Sequence, residues 1–316
     1  MKKRVLNLLL AMSMTIGLLA GCANEEEAKE LPKKLTFTYV TAPLNVPSIV
    51  DKEKKVFVNA FEELGIDVEY AELTSGADQT QALASGDVQV LYAVGASSAI
   101  LSAANGADIK VLNMYSRSPK AFSMHANDNE IDSPEDLKGK TIAGPAGTNL
   151  HELLAAYLAT ADMTIEDVNF VNMGIPEAKA ALDGESVDVA LLAGATAFQA
   201  NEQGYHMVAD GEGLIDAIIA VAVTDEFYQN NPEIIEVLEK AQEEIADFIT
   251  QNEADAFEMT AKELGLDVEA VREMYGMYDF STEITSEDVD GFQKTADFMY
   301  ENGMIEENLD VTTLFY

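Results

Sequence analysis

An α/β architecture of two similar units, each a largely parallel sheet flanked by helices and followed by a helical C-terminal tail, is what this 316-residue chain predicts. Three observations predict it. Short β-prone runs alternate with stretches of helical periodicity from Leu35 to Thr224. The alternation pauses once, at Ser116-Arg117-Ser118-Pro119, and then resumes in kind. From Asn231 onward the pattern is wholly helical. Repeated strand-helix-strand order places crossover helices over a buried sheet, and the length fits roughly two domains of about 150 residues.

Each element has its own signal. Leu35, Phe37, Tyr39 and Val40 form a β-prone run that ends at Thr41-Ala42-Pro43. Val56 to Leu64 has apolar residues at helical spacing and stops at Gly65, and Ile66 to Ala71 reads as a strand. Gly76 to Ala84 is a helix closed by Ser85-Gly86, followed by the apolar strand Val88 to Val94. Ala96 to Asn105 is the next helix, with Gly106 as its stop, and Ile109 to Tyr115 the next strand. In the second unit the strands are Thr141 to Gly144, Val168 to Met173 and Val187 to Leu192; the helices are Thr148 to Thr160, Pro176 to Leu182 and Ala195 to Gln203. The β-rich run Ile218 to Thr224 leads into the tail. There Pro232 opens a helix with apolar residues at Ile234, Val237, Leu238, Ala241, Ile245 and Phe248. Further helices are expected over Ala254 to Leu264, Val268 to Tyr275 and Ser286 to Asn302. No repeat of 20 to 50 residues is visible.

Composition bounds the function. With 56 acidic against 19 basic side chains the net charge is -37, which argues against nucleic acid, whose binding depends on clustered Lys and Arg. A 48% hydrophobic content is enough to build a core. The single Cys excludes an internal disulfide framework and any zinc site of several thiolates.

That Cys lies in an N-terminal signal. Lys2, Lys3 and Arg4 precede an apolar run from Val5 to Ala20, the shape of a secretory leader. The ending Leu19-Ala20-Gly21-Cys22 resembles the lipobox of bacterial lipoproteins, which implies removal of residues 1–21 and lipidation of Cys22. The competing reading is an uncleaved span, which usually wants about 20 apolar residues. Residues 22–34, with Glu25-Glu26-Glu27 and Lys33-Lys34, read as a polar, lipidated tether.

Enzyme signatures are scarce. No G-x-G-x-x-G follows a strand and no P-loop is present, and Gly95-Ala96-Ser97-Ser98-Ala99 lacks the last Gly of a nucleophile elbow. His125, His151 and His206 stand far apart, and His151 beside Glu152 on a helix is more often structural than metal-binding. No cofactor, metal or catalytic residue is expected.

What the chain does carry is a set of strands running into small polar residues that open a helix. These are Ser75-Gly76, Gly95-Ala96-Ser97-Ser98 and Gly144-Pro145-Ala146-Gly147-Thr148-Asn149. Helix starts present unpaired N–H groups and a positive dipole end, and glycine lets a ligand reach the backbone. In open α/β sheets ligands collect at the carboxyl ends of strands, where these loops lie. The ordinary reading of each loop alone is an N-cap.

A set of motifs runs through both units. In the first they are Leu73-Thr74-Ser75-Gly76, Gln81-Ala82-Leu83-Ala84-Ser85-Gly86-Asp87, Val94-Gly95-Ala96-Ser97 and Ala103-Ala104-Asn105-Gly106-Ala107-Asp108. In the second they are Ile131-Asp132-Ser133-Pro134-Glu135-Asp136-Leu137-Lys138-Gly139-Lys140, Gly147-Thr148 and Ala180-Ala181-Leu182-Asp183-Gly184-Glu185-Ser186-Val187-Asp188-Val189. With them the chain resembles nitrate/sulfonate/taurine-type solute-binding proteins of ABC importers, relatives of thiamine-precursor binders. The resemblance spans about residues 35 to 255. It implies a two-lobe periplasmic-binding-protein type II fold, with residues 35–118 and 222–316 as lobe 1 and 119–221 as lobe 2, hinged near Ser116-Arg117-Ser118 and Ile219-Ala220-Val221. It further implies a monomer, tethered outside the cell membrane by its lipid, that delivers a small solute to an ABC permease and its ATPase subunit.

By position in that family, the ligand contacts are Thr41, Ala42, Pro43, Ser75, Gly76, Gly95, Ala96, Ser97, Gly147, Thr148 and Asn149, with Met173, Gly194 and Ala195 at strand ends of lobe 2. The run Ala42-Pro43-Leu44-Asn45-Val46-Pro47 is more proline-rich than the family pattern. Arg117 and Arg272 are the only arginines after the leader, and Arg117 falls beside the expected cleft. A guanidinium there suits a sulfonate or carboxylate; equally, it could pair with one of many neighbouring carboxylates. Three alternatives stand beside a small anion. The solute could be a neutral or aromatic heterocycle, met by Tyr92, Tyr115 and Met173. The chain could be a pyrimidine-precursor synthase-like enzyme, against which the lack of a Cys- or His-rich loop counts, or a purely structural lipoprotein.

Overall fold

A computed structural model describes residues 31–73 and 75–316. The expected leader, Cys22 and most of the expected tether lie outside the described residues. The part expected as lobe 1 begins with β1 (Lys34–Thr38), α1 (Val46–Lys54), α2 (Val56–Glu62), β2 (Asp67–Ala71), α3 (Gly76–Ser85), β3 (Leu91–Gly95), α4 (Ala96–Ala104) and β4 (Lys110–Arg117). The chain then passes to the part expected as lobe 2, made of β5 (Phe122–Ala126), β6 (Thr141–Gly144), α5 (Asn149–Ala159), β7 (Asn169–Asn172), α6 (Ile175–Asp183), β8 (Val189–Ala193), α7 (Ala195–Glu202) and β9 (His206–Asp210). It returns through β10 (Ile218–Val223) and closes with α8 (Asp225–Asn230), α9 (Pro232–Gln251), α10 (Glu253–Leu264), α11 (Val268–Tyr275) and α12 (Ser286–Glu301).

Strands β1 and β2 form a parallel pair, β3-β10-β4 is wholly antiparallel where a largely parallel sheet was expected, and the five-stranded sheet β7-β6-β8-β5-β9 is mixed, with parallel pairs at β6-β7 and β6-β8. The two strands that carry the chain across between lobes run against their neighbours: β10 lies antiparallel between β3 and β4, and β5 antiparallel between β8 and β9. A crossing chain enters its new sheet from the opposite end, so this inversion follows from the connectivity. Ile218 to Val221, placed in lobe 2 by the sequence, pair along β10 with lobe 1, so the expected 221/222 boundary falls inside a strand.

Strand periodicity puts both faces of these sheets in apolar surroundings. In β10, Ile219, Val221 and Val223 enter one core and Ile218, Ala220 and Ala222 a second, against Phe292 and Met299 of α12. In β8, Val189, Leu191 and Ala193 face the first core, while Ala190 and Leu192 meet Ala178 and Leu182 of α6. A strand covered on both faces must read as a continuous apolar run, as Ile-Ile-Ala-Val-Ala-Val does. Helix α9 shows the other period: Ile234, Leu238, Ala241, Ile245 and Ile249 are buried along one stripe, with Val237 and Phe248 packed at its margin.

Candidate functional site

Local chemistry sets where the helices start. Ser75 accepts the Asp78 N–H at 3.1 Å and caps α3, while Gly95 and Thr148 occupy extended N-cap positions of α4 and α5. Tertiary packing then brings five helix starts to one place between the lobes: α1 at Asn45, α3 at Gly76, α4 at Gly95, α5 at Thr148 and Asn149, and α6 at Ile175. They surround a cavity of about 70 Å³, also lined by Val40, Ala42, Pro43, Gln79, Ala93, Ser98, Phe122, Pro145, Leu150 and Ile219. Each start carries roughly half a positive charge, and no side chain lining the cavity is ionisable. By the measure in which one water needs about 10–15 Å³, the space takes on the order of five waters, which suits a small solute.

The two lobes are drawn together around it. Ser98 Oγ of α4 donates to the Gly147 carbonyl at 2.7 Å. The Ala195 N–H donates to the Pro43 carbonyl at 3.2 Å, and Asn149 Nδ2 to the Ile218 carbonyl at 3.4 Å. Gly194 is required at the Ala195–Pro43 seam: its φ is +53°, and a Cβ there would run into the Pro43 carbonyl. Behind the cavity, Ser97 Oγ touches both Asn149 Oδ1 (2.9 Å) and Glu152 Oε2, while Thr295 of α12 donates to Glu152 Oε1 at 2.9 Å. Burial pushes the Glu152 carboxyl up to about 7 against the lowering effect of its Ser97 and Thr295 hydrogen bonds, with Asp216 adding to the rise.

The expected contacts divide into three groups. Ala42, Pro43, Gly76, Gly95, Thr148 and Asn149 line the cavity. Thr41 lines a neighbouring 270 Å³ space that shares Val40, Ala42 and Ile175 with the cavity and is also walled by Glu72, Pro176, Glu263 and Tyr39, whose hydroxyl donates to Glu263 at 2.8 Å. Ser75, Ala96, Ser97, Gly147, Gly194 and Ala195 are used in caps, packing or the seams between lobes; Met173 packs beside the α6–α7 core of lobe 2.

Two expectations about side chains change. Arg117 does not line the cavity. Its Nε and Nη2 grip both oxygens of Asp288 at 2.5 and 2.6 Å, Nη1 donates to Ser281, and Nη2 also meets the Glu283 carbonyl. Asp279 stands 3.5 Å away. Every donor of the guanidinium is engaged in tying the end of β4 to the tail. Tyr115 likewise points elsewhere: its hydroxyl sits 2.8 Å from Ser48 Oγ, and with Tyr92 it borders a separate 400 Å³ cavity under α9. His151 accepts the Gly147 N–H at 3.2 Å and stacks on Phe170.

Missed by the sequence reading were Asn45, Gln79 and Phe122; Ser98, singled out in the Gly95-Ala96-Ser97-Ser98 helix start, lines the cavity without having been among the expected contacts. Asn45 and Gln79 are buried, and each holds its amide nitrogen on backbone carbonyls: Val40 and Ala42 for Asn45, Leu73 for Gln79. Their Oδ1 and Oε1 have no hydrogen-bond partner among the described residues. The signal available for Asn45 was its place directly before Val46-Pro47, a helix start.

Comparison with known proteins follows this geometry. Residues 58–256 match the NMT1/THI5-like family. A Bacillus subtilis protein assigned as binding aliphatic sulfonates is 27% identical over 308 residues, covering 96% of this chain and 92% of its own. A Brachyspira hyodysenteriae protein assigned as a periplasmic binding protein of an ABC transporter is 30% identical over 273 residues, 81% of this chain and 75% of its own. Among solved structures, the alkanesulfonate-binding protein SsuA of Xanthomonas axonopodis pv. citri, bound to MOPS, superposes with a TM-score of 0.81 at 19% identity, covering 90% of this chain and 98% of that one.

Proposed function

Since the chain belongs to the NMT1/THI5-like family, whose members among its relatives include ABC-transporter binding proteins, we propose that it captures a small sulfonate-type anion between its lobes and hands it to an ABC permease. The role is solute binding at the extracytoplasmic side, without catalysis. The observation that carries the ligand reading is the convergence of five helix starts on a cavity with no ionisable lining. An anion held there meets five dipole ends, each worth about 0.3–1 kcal/mol when exposed and up to about 2 when partly buried, and backbone N–H groups from α3, α4, α5 and α6; those of α1 are taken, Val46 by the Leu44 carbonyl and Ser48 by the Tyr115 hydroxyl, and Pro47 has none. Arg117 has no part in it. Lipidation at Cys22 would hold the protein at the membrane beside its permease, and we read it as acting as a monomer.

Thermal-shift and calorimetric titration test the ligand. Ethanesulfonate, taurine, nitrate, bicarbonate and pyrimidine precursors form the panel, and saturation at 100 times Kd adds about 2.7 kcal/mol of stability. A melting shift from the sulfonates is expected; a flat response to them with a shift from a pyrimidine overturns the anion. The second reading, an N–H-bearing solute, is favoured by Asn45 Oδ1 and Gln79 Oε1, two buried acceptors without donors at the cavity wall. On that reading taurine outbinds ethanesulfonate in the same titration.

A further inference from the structure

We propose that solute capture is coupled to uptake of one proton by Glu152, whose neutral carboxyl locks α5 of lobe 2 against α4 and α12 of lobe 1. The proposal rests on the reading of the cavity as the solute site. Glu152 is 4% exposed, and its partners Ser97, Asn149 and Thr295 are 0%, 2% and 5% exposed, so water does not complete their hydrogen bonds.

Counting protons decides the carboxyl's state. Ser97 Oγ has one hydrogen, yet it lies against two acceptors, Asn149 Oδ1 and Glu152 Oε2. If Glu152 carries the proton, the chain closes without a gap. Glu152 donates to Ser97, Ser97 donates to Asn149, Asn149 Nδ2 donates to the Ile218 carbonyl, and Thr295 donates to Glu152 Oε1. An ionised Glu152 would leave Asn149 Oδ1 without a donor. Turning the Asn149 amide over would supply one only by setting its oxygen against the Ile218 carbonyl. No cation compensates a negative charge here. Helix α4 brings no ionisable group, the nearest charge from the β10 side is Asp216, and Lys294 of α12 is paired with Asp216 at 3.5 Å. His151, next on α5, is held below its ordinary range by burial.

Hinge opening of a two-lobe fold separates α5 from α4 and α12 and returns water to this carboxyl. Its affinity for protons is then that of an ordinary glutamate, so the proton leaves to bulk buffer on opening and is taken from it on closing. A carboxyl whose closed-state affinity is raised favours closure at low pH, and that advantage is lost as pH rises through about 7.

Calorimetry of the protein with taurine and with ethanesulfonate, at pH 6 in two buffers of different ionisation enthalpy, tests the coupling. Close to one proton taken up per solute is expected, with binding about tenfold weaker at pH 8 than at pH 6. Glu152→Gln, which keeps both the donor and the acceptor of the neutral acid, should bind with no proton uptake and a flat pH profile. No uptake and a flat profile in the parent protein overturn the proposal, as does an unchanged profile in Glu152→Gln; if that variant does not fold, the parent's proton count decides alone. If neither probe binds, the reading of the cavity has failed, and the coupling is tested with the panel solute that does bind. Saturated with solute, the melting temperature of Glu152→Gln should gain on the parent between pH 6 and pH 8, while without solute the difference stays constant; a constant difference in the saturated protein overturns the coupling.

Discussion

Two cavities of this molecule invite opposite conclusions by size and by chemistry. The larger, 400 Å³, lies under α9 and is walled by Tyr92, Tyr115, Tyr275, Tyr278 and Phe280. Among its polar groups Gln242 and Asn113 exchange hydrogen bonds at 2.8 and 3.1 Å and Tyr115 is bound to Ser48, while the buried Tyr278 hydroxyl has no partner among the described residues. The smaller, 70 Å³, is bordered by both lobes, and what converges on it is backbone, the starts of five helices. Free backbone donors from several elements, rather than volume or a single unpaired hydroxyl, mark the place where a solute completes the structure. Arg117 fits the same rule from the other side, because a cation whose five donors are all engaged is part of the scaffold.

The largest effect separating scaffold from site is expected at Arg117. Arg117→Ala strands Asp288, whose side chain is 3% exposed, and should cost about 3 kcal/mol of stability while leaving solute affinity within about threefold. Melting curves and calorimetry read the two quantities separately, and lost affinity at unchanged stability would restore the guanidinium to the ligand. Next is Gly194→Val, which drives a side chain into the Pro43 carbonyl at the seam. Binding should weaken by about 100-fold, near 2.7 kcal/mol, with the fold retained by circular dichroism; unimpaired binding would mean that closure at this seam is unnecessary.

A third test compares two buried carboxyls. Asp51, beneath α2, accepts from the Phe57 N–H at 2.8 Å and the Tyr70 hydroxyl at 2.6 Å, and burial pushes it up to about 6. Its contribution to folding is present below its unfolded value and is lost as pH rises through about 6. Asp51→Asn should therefore gain on the parent protein in stability between pH 4 and pH 7, by about 2 kcal/mol read from melting curves, without changing the pH profile of solute binding. A changed binding profile would erase the distinction between a carboxyl that stabilises one lobe and Glu152, which joins two. The smallest effect is expected in the larger cavity: Tyr275→Phe should leave solute affinity within about twofold, and a tenfold loss would move the site there.

The order and type of most elements were legible because their causes are local. Ser75 before Gly76, Gly86 after Ser85 and Pro232 at the start of α9 act within a few residues of chain. Helix α1 escaped notice because its second half, Asp51-Lys52-Glu53-Lys54, has no apolar period, and its burial comes from packing on α9 and α10. Strands β5 and β9 were missed for a related reason: Ser123, His125 and His206 break the apolar run, and pairing across β8, β5 and β9 decides their structure.

Of the candidate site, Gly76, Gly95, Thr148 and Asn149, read from helix starts, line the cavity together with Ala42 and Pro43, which the family resemblance alone nominates; helix starts carry orphan N–H groups by their geometry. Gln79 and Phe122 sit in ordinary helix or strand positions and could be assigned only once neighbouring elements were in place. The sequence by itself determined that this is a two-unit α/β chain with several polar helix starts and a shortage of cations, because periodicity, capping and composition are properties of short segments. Tertiary structure decided that five of those starts meet, that Arg117 belongs to Asp288, 171 residues away, and that Glu152 lies sealed between lobes. The physical reason is that hydrogen-bond satisfaction and burial depend on which distant groups arrive, and no local pattern encodes that.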